Sequence, residues 1–319
     1  MPAAIPVIIL FGPTASGKTA LLDELFIRWK VCPGEVISAD SMQVYRGMDI
    51  GTAKPSPEAR ARIPHHLIDI RNPDEQFNAG EFVRLAREAC LGAWARGSLP
   101  VVSGGTGFYL KNLVLGLPEA PPSAPAVRAA LKEELARRGA AALTEELAAH
   151  DPVSAGRIHP NDSYRLLRAL EVFRASGRPL SSYSQTGGDG GNFRFLILGL
   201  TRSREDLYRR IDERCAAMFR AGLPAEVERL FAAGYTPLDP GLRAIGYREF
   251  FIEEENGLWR LSRDLAGVEA LAARNSRRYA KRQITFFASI PGLKWIEAGG
   301  PPEETAGAVQ RELAAFLQT

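Results

Sequence analysis

Short apolar runs alternate with helical patterns along the first third of the chain. The runs at 6–11, 35–39, 66–70 and 99–103 have the length of buried strands, and a clear helical pattern covers 80–96. Alternating strands and helices predict a parallel sheet with helices on both faces. Groups that bind a ligand are then expected at the carboxyl ends of the strands.

The pattern changes near residue 117. A proline-rich stretch at 117–125 leads into residues 126–180, which are rich in Ala, Leu, Glu and Arg and contain no strand-like run. Residues 181–192 are polar and Gly-rich. A strand pattern returns at 193–200, followed by helical patterns at 203–221, 224–233, 264–288 and 302–317. We therefore predict an α/β core at 1–116 and 193–319, interrupted by an all-helical insertion at 117–192.

A phosphate-binding motif directly follows the first apolar run. Residues 12–19 match the P-loop pattern G-x-x-x-x-G-K-[ST] at every fixed position, and an amphipathic helix pattern follows. Backbone N–H groups of such a loop point at phosphate oxygens, Lys18 supplies a mobile charge, and the Thr19 hydroxyl can hold Mg²⁺ or a phosphate oxygen. The predicted cradle consists of Gly12, Pro13, Thr14, Ala15, Ser16, Gly17, Lys18 and Thr19. A turn without a ligand is the alternative, but the strand–turn–helix context favours a P-loop NTPase-like fold that binds a di- or triphosphate.

The composition is that of an ordinary globular protein. The 319 residues are 45% hydrophobic and 24% charged, and the longest apolar runs are too short to span a membrane. Three widely spaced cysteines, Cys32, Cys90 and Cys215, argue against a disulfide framework or a zinc site. The adjacent His65 and His66 would point to opposite faces of a strand, so we predict no metal site there. We expect no signal peptide and a cytoplasmic protein without a membrane partner.

Two strand ends carry candidate catalytic groups. Asp40 follows the second apolar run, where a carboxylate could act as a general base or hold Mg²⁺ through water. A turn or helix-capping aspartate is the alternative. Thr106 lies within Gly104–Gly107, where its hydroxyl could meet a leaving oxygen, although a tight turn would use the same glycines. A kinase would often place an acidic magnesium ligand at such a strand end, and none occurs here.

Two arginines are candidates for closing over a diphosphate. Arg210 and Arg214 are four residues apart on a predicted helix and border its apolar stripe. Ion pairs with Asp206 or Glu213 on the same helix are the alternative.

The most basic segment of the chain is the predicted helix over 274–287. Its basic residues share one stripe about 140° wide, and no acidic residue occurs between Asn275 and Ile296. The stripe consists of Arg274, Arg277, Arg278, Lys281 and Arg282. Further basic pairs are Arg165 with Arg168, and Arg243 with Arg248. Although the net charge of only +3 is not informative, separate basic patches interleaved with aromatic residues favour a structured RNA over a small metabolite.

Taken together, these motifs resemble the tRNA dimethylallyltransferases, also called tRNA isopentenyltransferases. The resemblance runs from the P-loop nearly to the end of the basic helix. The matching segments are 12–19, 40–55, 64–70, 104–109, 161–162, 165–171, 243–248 and 280–285. The resemblance implies transfer of a dimethylallyl group from dimethylallyl diphosphate to the N6 amine of the adenine 3′ of the anticodon, in tRNAs that read codons beginning with U.

The resemblance also implies roles for individual residues. Asp40 would accept the proton of the attacking amine, and Ser41 and Gln43 would hold the flipped base. Lys18, Thr106 and Arg214, together with Mg²⁺, would stabilise the departing diphosphate. The implied tRNA contacts are Asp40, Ser41, Met42, Gln43, Thr106, Arg128, Tyr164, Arg165, Leu166, Leu167, Arg168, Arg243, Gly246, Tyr247, Arg248, Lys281, Arg282 and Gln283. The insertion would then grip the anticodon stem-loop.

The chain departs from the family pattern at two places. Tyr164 stands where the bacterial pattern usually has Gln, and residues 285–288 replace a usual Trp and Arg. Because no Cys/His zinc-finger extension follows, we expect a bacterial-type enzyme, and we expect it to be a monomer. The alternatives are a P-loop small-molecule kinase, a cytokinin-forming transferase acting on free adenylate, and a nucleotide-gated RNA-binding module without catalysis.

Overall fold

A computed structural model describes residues 4–117, 120–121, 123–183 and 192–318. The chain divides into two compact units, one formed by 1–114 with 191–319 and the other by 115–190. The helices are α1 Lys18–Asp23, α2 Pro57–Arg62, α3 Ala79–Ala95, α4 Gly107–Leu115, α5 Pro125–His150, α6 Pro152–Arg157, α7 Ser163–Ser176, α8 Arg204–Arg220, α9 Leu223–Ala232, α10 Leu265–Phe287 and α11 Pro302–Leu317. No helix in the described ranges is long and apolar enough to cross a membrane.

Parallel pairing organises the larger unit. Its strands are β1 Ile5–Phe11, β2 Gly34–Ser38, β3 His65–His66, β4 Leu99–Gly104, β5 Phe193–Thr201, β6 Phe251–Glu253, β7 Trp259–Leu261 and β8 Lys294–Glu297. Within the described residues, six of them form a parallel sheet in the order β3-β2-β4-β1-β5-β8. The predicted α/β class, a parallel sheet flanked by helices, is therefore confirmed.

The sheet core explains why the apolar runs are continuous. Strand β1 lies between β4 and β5, so its residues from Pro6 onward are buried whichever face they point to. On one face, Ile8 and Leu10 pack with Leu21 and Leu25 of the segment after the P-loop, and Leu313 of α11 closes the cluster. This packing holds the start of α1 rigidly at the carboxyl end of β1.

The third predicted strand is wrong beyond its first residue. We predicted a strand at 66–70, but β3 ends at His66 and Leu67 and Asp69 adopt positive φ angles of 62° and 57°. Asp69 turns away to accept hydrogen bonds from Lys54 at 2.6 Å and Arg60 at 2.9 Å. Ion pairing thus overrides a strand-like sequence pattern. The short strands β6, β7 and β8 were not predicted at all.

The smaller unit is helical throughout its described part. Helix α5 is interrupted at Gly139, whose φ of 78° is non-helical. Leu131 and Leu147 of α5 pack with Leu166 and Leu170 of α7 to form the core of this unit. At the start of α5 a buried carboxylate, Glu171, accepts hydrogen bonds from Ser123, Ala124, Arg128 and Arg168.

Candidate active site

The P-loop has the backbone geometry of an anion cradle. Ala15 and Gly17 adopt positive φ angles of 64° and 106°, which turns successive N–H groups toward one side, and α1 begins at Lys18. Ser16 is 1% exposed, and its Oγ has no hydrogen-bond partner in the described part of the chain. Lys18 Nζ donates to the carbonyls of Gly12 at 2.8 Å and Pro13 at 3.1 Å. An unpaired buried hydroxyl and a lysine held by its own loop are groups that a phosphate ligand would engage.

The loop opens on a cavity of about 770 Å³ in the larger unit. Its walls come from the carboxyl ends of β1, β2 and β4, the segment 51–56, and helices α8 and α10. Asp40, Thr19 and Arg214 all line it. Asp40, Lys18 and Arg214, predicted as catalytic from distant parts of the sequence, therefore surround one space, whereas Thr106 lies beside it, next to the lining residue Gly105.

The carboxyl ends of β2 and β4 are joined directly beside the P-loop. Ala39 N–H donates to the Ser103 carbonyl at 2.8 Å, and Thr106 N–H donates to the Ala39 carbonyl at 3.1 Å. Asp40 Oδ1 accepts from the Met42 N–H at 2.9 Å, which fixes the carboxylate on the cavity wall. The Thr106 hydroxyl accepts from the Ser41 N–H at 3.0 Å. Asp40 and Thr106 are thus held by one network at neighbouring strand ends.

Lys18, Arg214 and Asp40 line the same cavity and influence one another's charge. Burial, and after it the nearby Arg214 guanidinium, lower the pKa of Lys18 to about 8, against an opposing effect of Asp40. Burial likewise lowers the pKa of Arg214, again against an opposing effect of Asp40. Neighbouring like charges disfavour each other, and the basic side chains that line the cavity outnumber its two carboxylates, Asp23 and Asp40. An anionic ligand would complete this arrangement.

The ion pairs with Asp206 and Glu213 that were the alternative role for Arg210 and Arg214 are formed by another arginine of the same helix. Arg209 pairs with Asp206 and Glu213, each at 2.6 Å. Arg210 instead donates from Nε to the Ala15 carbonyl at 2.9 Å and also lines the cavity, so it supports the P-loop backbone beside the site.

Diphosphate binding is expected to depend on the protonation of Lys18. Because the anion favours the charged ammonium, affinity should weaken as pH rises above about 8, where free Lys18 loses its proton. The change should be at most about tenfold per pH unit, since one proton is involved. Calorimetric titration with inorganic diphosphate between pH 7 and 9.5 measures it. Lys18→Met should bind more weakly and lack this step; a wild-type step that persists in Lys18→Met would assign it to another group.

Gln43 is fully engaged by the protein. Its Oε1 accepts from Ser38 Oγ at 2.9 Å, and its Nε2 approaches the carbonyls of Thr52 at 3.2 Å and Ala53 at 3.3 Å. The amide therefore ties β2 to the segment over the cavity. Its predicted contact with a flipped base stays a prediction and would require it to exchange one of these partners.

A buried carboxylate that sequence reasoning missed supports the same segment. Glu226 of α9 accepts hydrogen bonds from the N–H groups of Asp49 and Ile50, and from the Tyr247 hydroxyl at 2.6 Å. Tyr247 itself is fully buried. Tyr247, which was predicted to contact tRNA, thus lies in the scaffold of the cavity wall.

Replacing Glu226 with Gln should destabilise the larger unit. A neutral amide accepts these N–H bonds less strongly and places an unpaired NH₂ group in a buried nest, so we expect a loss of about 2–4 kcal/mol in the free energy of unfolding. Urea denaturation measures it. Glu228→Gln, on the exposed side of the same helix, is the matched control and should change little. Equal stability of the two variants would contradict the role of Glu226.

Helix α10 has an outer basic face and an inner polar face. Arg274, Arg278, Lys281 and Arg282 are exposed, whereas Arg277 forms an ion pair with Asp212. On the inner side, Gln283 is 6% exposed and donates from Nε2 to the Gly105 carbonyl at 2.7 Å.

The remaining predicted tRNA contacts differ in accessibility. In the smaller unit Tyr164 is 73% exposed and Arg165 is exposed, while Leu166 and Leu167 are buried in the helical core. The Arg128 guanidinium lies over the Tyr164 ring at 4.8 Å. Arg128 and Arg168 also pair with Glu171. The exposed residues of this group can touch a ligand directly.

In the larger unit, Arg243 is exposed and donates to the carbonyl of Leu238 at 2.6 Å. Gly246 N–H donates to Glu249 at 2.8 Å, and Arg248 pairs with Glu249 at 3.1 Å. Gly246 lines the cavity, so it can meet a ligand only from that side.

The adjacent histidines have separate structural partners. His66 Nε2 lies 2.7 Å from Glu35, and His65 Nδ1 lies 2.6 Å from the Ile63 carbonyl. In the part of the chain that the structure describes, no cluster of three His, Cys, Asp or Glu residues could hold a metal ion.

A P-loop at the centre of a parallel sheet, with two partly buried cations beside it, defines a P-loop α/β protein. Residues 43–289 match the family model described as IPP transferase. The tRNA dimethylallyltransferase of Geobacter sulfurreducens is 46% identical over 291 residues, which are 91% of each chain. The chain therefore belongs to the IPP transferase family, and the resemblance inferred from its motifs is confirmed.

Solved structures agree with this assignment. The tRNA isopentenylpyrophosphate transferase of Bacillus halodurans is 34% identical, with a TM-score of 0.69 over 98% of this chain and 97% of its own. A eukaryotic dimethylallyltransferase captured acting on tRNA is 26% identical, with a TM-score of 0.80 over 98% of this chain and 78% of its own.

Proposed function

We propose that this protein transfers a dimethylallyl group from dimethylallyl diphosphate to the N6 amine of the adenine that follows the anticodon, in tRNAs that read codons beginning with U. The observation that carries the proposal is the grouping of Asp40, Lys18 and Arg214 around the cavity behind the P-loop. A carboxylate near two partly buried cations suits a reaction in which an amine loses a proton and a diphosphate leaves.

The chemistry follows from that separation of charge. The N6 nitrogen attacks the allylic carbon, a C–N bond forms, and the C–O bond to the diphosphate breaks with its electron pair. Asp40 accepts the proton that the amine loses. The P-loop N–H groups, Lys18 and Arg214 stabilise the negative charge that develops on the diphosphate. The Thr106 hydroxyl, which donates to Ser41 Oγ at 3.3 Å in this structure, would turn to the bridging oxygen.

Magnesium fits this site. The Thr19 hydroxyl and the Asp40 carboxylate are hard oxygen donors that line the cavity, and Mg²⁺ is commonly held by one or two such groups together with phosphate oxygens. Thr19 would hold the ion, while Asp40 serves as the proton acceptor. When bound, Mg²⁺ would neutralise part of the diphosphate charge.

The tRNA would approach through the exposed basic residues. Arg278, Lys281 and Arg282 form a face that can follow a phosphate backbone, and Arg165 with Tyr164 offers a second such face in the smaller unit. The adenine must leave the anticodon-loop stack before its N6 atom can enter an enclosed cavity. We propose that the helical unit grips the anticodon stem-loop.

Incubation with labelled dimethylallyl diphosphate tests the function. Label should appear in tRNA and map to the adenine 3′ of the anticodon, with release of one diphosphate per group transferred. Label in free AMP alone would instead indicate an adenylate transferase. Phosphate transfer from ATP to a small molecule would indicate a kinase, and tRNA binding without transfer would indicate a binding module.

A further inference from the structure

One buried amide on α10 connects the two strand ends that form the diphosphate side of the site. Gln283 Oε1 accepts a hydrogen bond from the Thr14 N–H of the P-loop at 3.3 Å. Its Nε2 donates to the Gly105 carbonyl at 2.7 Å. A single side chain therefore joins the loop after β1 to the turn after β4.

The residues around Gln283 pack closely against this connection. A Cβ at position 105 would lie 2.4 Å from Gln283 Nε2, so only glycine allows the approach. One turn further along α10, Phe287 stacks on Phe11, the last residue of β1, with ring centroids 3.7 Å apart. The inner face of α10 is thus packed directly against the strand end that leads into the P-loop.

Thr106 directly follows Gly105, so the turn that Gln283 holds also carries the Thr106 hydroxyl. This hydroxyl accepts a hydrogen bond from the Ser41 N–H at 3.0 Å. Tyr279 lies four residues before Gln283 on the same face of the helix, and burial raises the pKa of its hydroxyl to about 12, so it stays protonated. Gln283 thus joins the P-loop amide to the Gly105 carbonyl, next to Thr106.

We propose that Gln283 is a positioning residue that sets the P-loop and the Thr106 turn at the separation the leaving diphosphate requires. The family resemblance implies a tRNA contact for Gln283, but its burial and its two protein partners favour a role on the donor side. The proposal rests on the proposed function, since it names the step that Gln283 serves. Misplacing groups that receive the leaving group slows the chemical step even when both substrates still bind.

Gln283→Leu tests this role because it removes both hydrogen bonds at similar volume. We expect kcat for prenyl transfer to fall about 10- to 100-fold. The KM for tRNA should change less than about threefold, since the exposed basic face is untouched. Gln310→Leu, the same change at an exposed position of α11, is the matched control.

Two further variants separate positioning from loss of packing. Gln283→Glu keeps the acceptor for Thr14 but sets a carboxylate oxygen against the Gly105 carbonyl, so it should also lower kcat. Gly105→Ala should lower kcat from the other side of the contact. The double variant Gly105→Ala with Gln283→Ala has room for the new methyl group. Its fold decrease in kcat should therefore be smaller than the product of the fold decreases of the two single variants.

The possible outcomes distinguish a positioning role of Gln283 from a tRNA contact and from no role. A rise in the KM for tRNA with unchanged kcat would make Gln283 a tRNA contact, and a kcat equal to that of Gln310→Leu would remove its role. If circular dichroism shows that Gln283→Leu does not fold, Gln283→Glu carries the same comparison. Failure of the proposed function looks different, because the wild-type protein itself would then place no label in tRNA.

Discussion

Asp40→Asn is expected to reduce prenyl transfer to tRNA by about 10²- to 10⁴-fold, the range typical for loss of a general base. The amide keeps the oxygen that accepts from the Met42 N–H, so the turn after β2 should be preserved. It cannot accept the proton that the N6 amine must lose. Single-turnover measurement with labelled donor and tRNA isolates this chemical step from product release.

A second readout distinguishes the catalytic role from general damage. The Asp40 carboxylate raises the pKa of Lys18, so its removal should move the pH step of diphosphate binding below pH 8. Asp74→Asn, the same change at an exposed position, should leave both transfer and the pH step unchanged. Near-normal single-turnover rates in Asp40→Asn would contradict the assignment of the base.

The main features of the site could be predicted because they lie at strand ends. An apolar strand followed by a P-loop or by Asp40 indicates a carboxyl edge, and parallel pairing brings such edges together. β2, β4 and β1 lie side by side in the sheet, so Asp40, Thr106 and Lys18 follow neighbouring strand ends. The local sequence pattern and the general topology of parallel sheets were therefore sufficient to predict that these three residues lie near one another.

Partners separated far along the chain could not be predicted. Glu226 meets the N–H groups of Asp49 and Ile50 across about 175 residues, and nothing near Glu226 in the sequence indicates a buried carboxylate. Gln283 did carry a signal. It shares a helical face with Ala280 and Phe287, both of which are buried, and this spacing predicts an inward side chain in a helix that is basic elsewhere.

Arg214→Met is expected to lower kcat by about 10²- to 10³-fold, because it removes one of the two cations that face the departing diphosphate. The unliganded protein should be at least as stable as the wild type. The positive charge of Arg214 lies near that of Lys18 and is only partly offset by Asp40. Methionine fills a similar volume and carries no charge, so it removes this repulsion. Losing activity without losing stability is the signature of a group kept for function.

The pKa of Lys18 provides an independent measure of the loss of the Arg214 charge. Arg214 lowers the pKa of Lys18, so in Arg214→Met the pH step of diphosphate binding should move above pH 8, opposite to its direction in Asp40→Asn. Arg220→Met, at an exposed position in the last turn of the same helix, should leave kcat and the pH step unchanged. Parallel losses of stability and transfer in Arg214→Met would mean that Arg214 supports the fold instead. The expected result is a shift of the pH step in opposite directions in Asp40→Asn and Arg214→Met. Such opposite shifts would show that both the proton acceptor and the second cation change the pKa of Lys18. All three groups would then lie in one electrostatically coupled site.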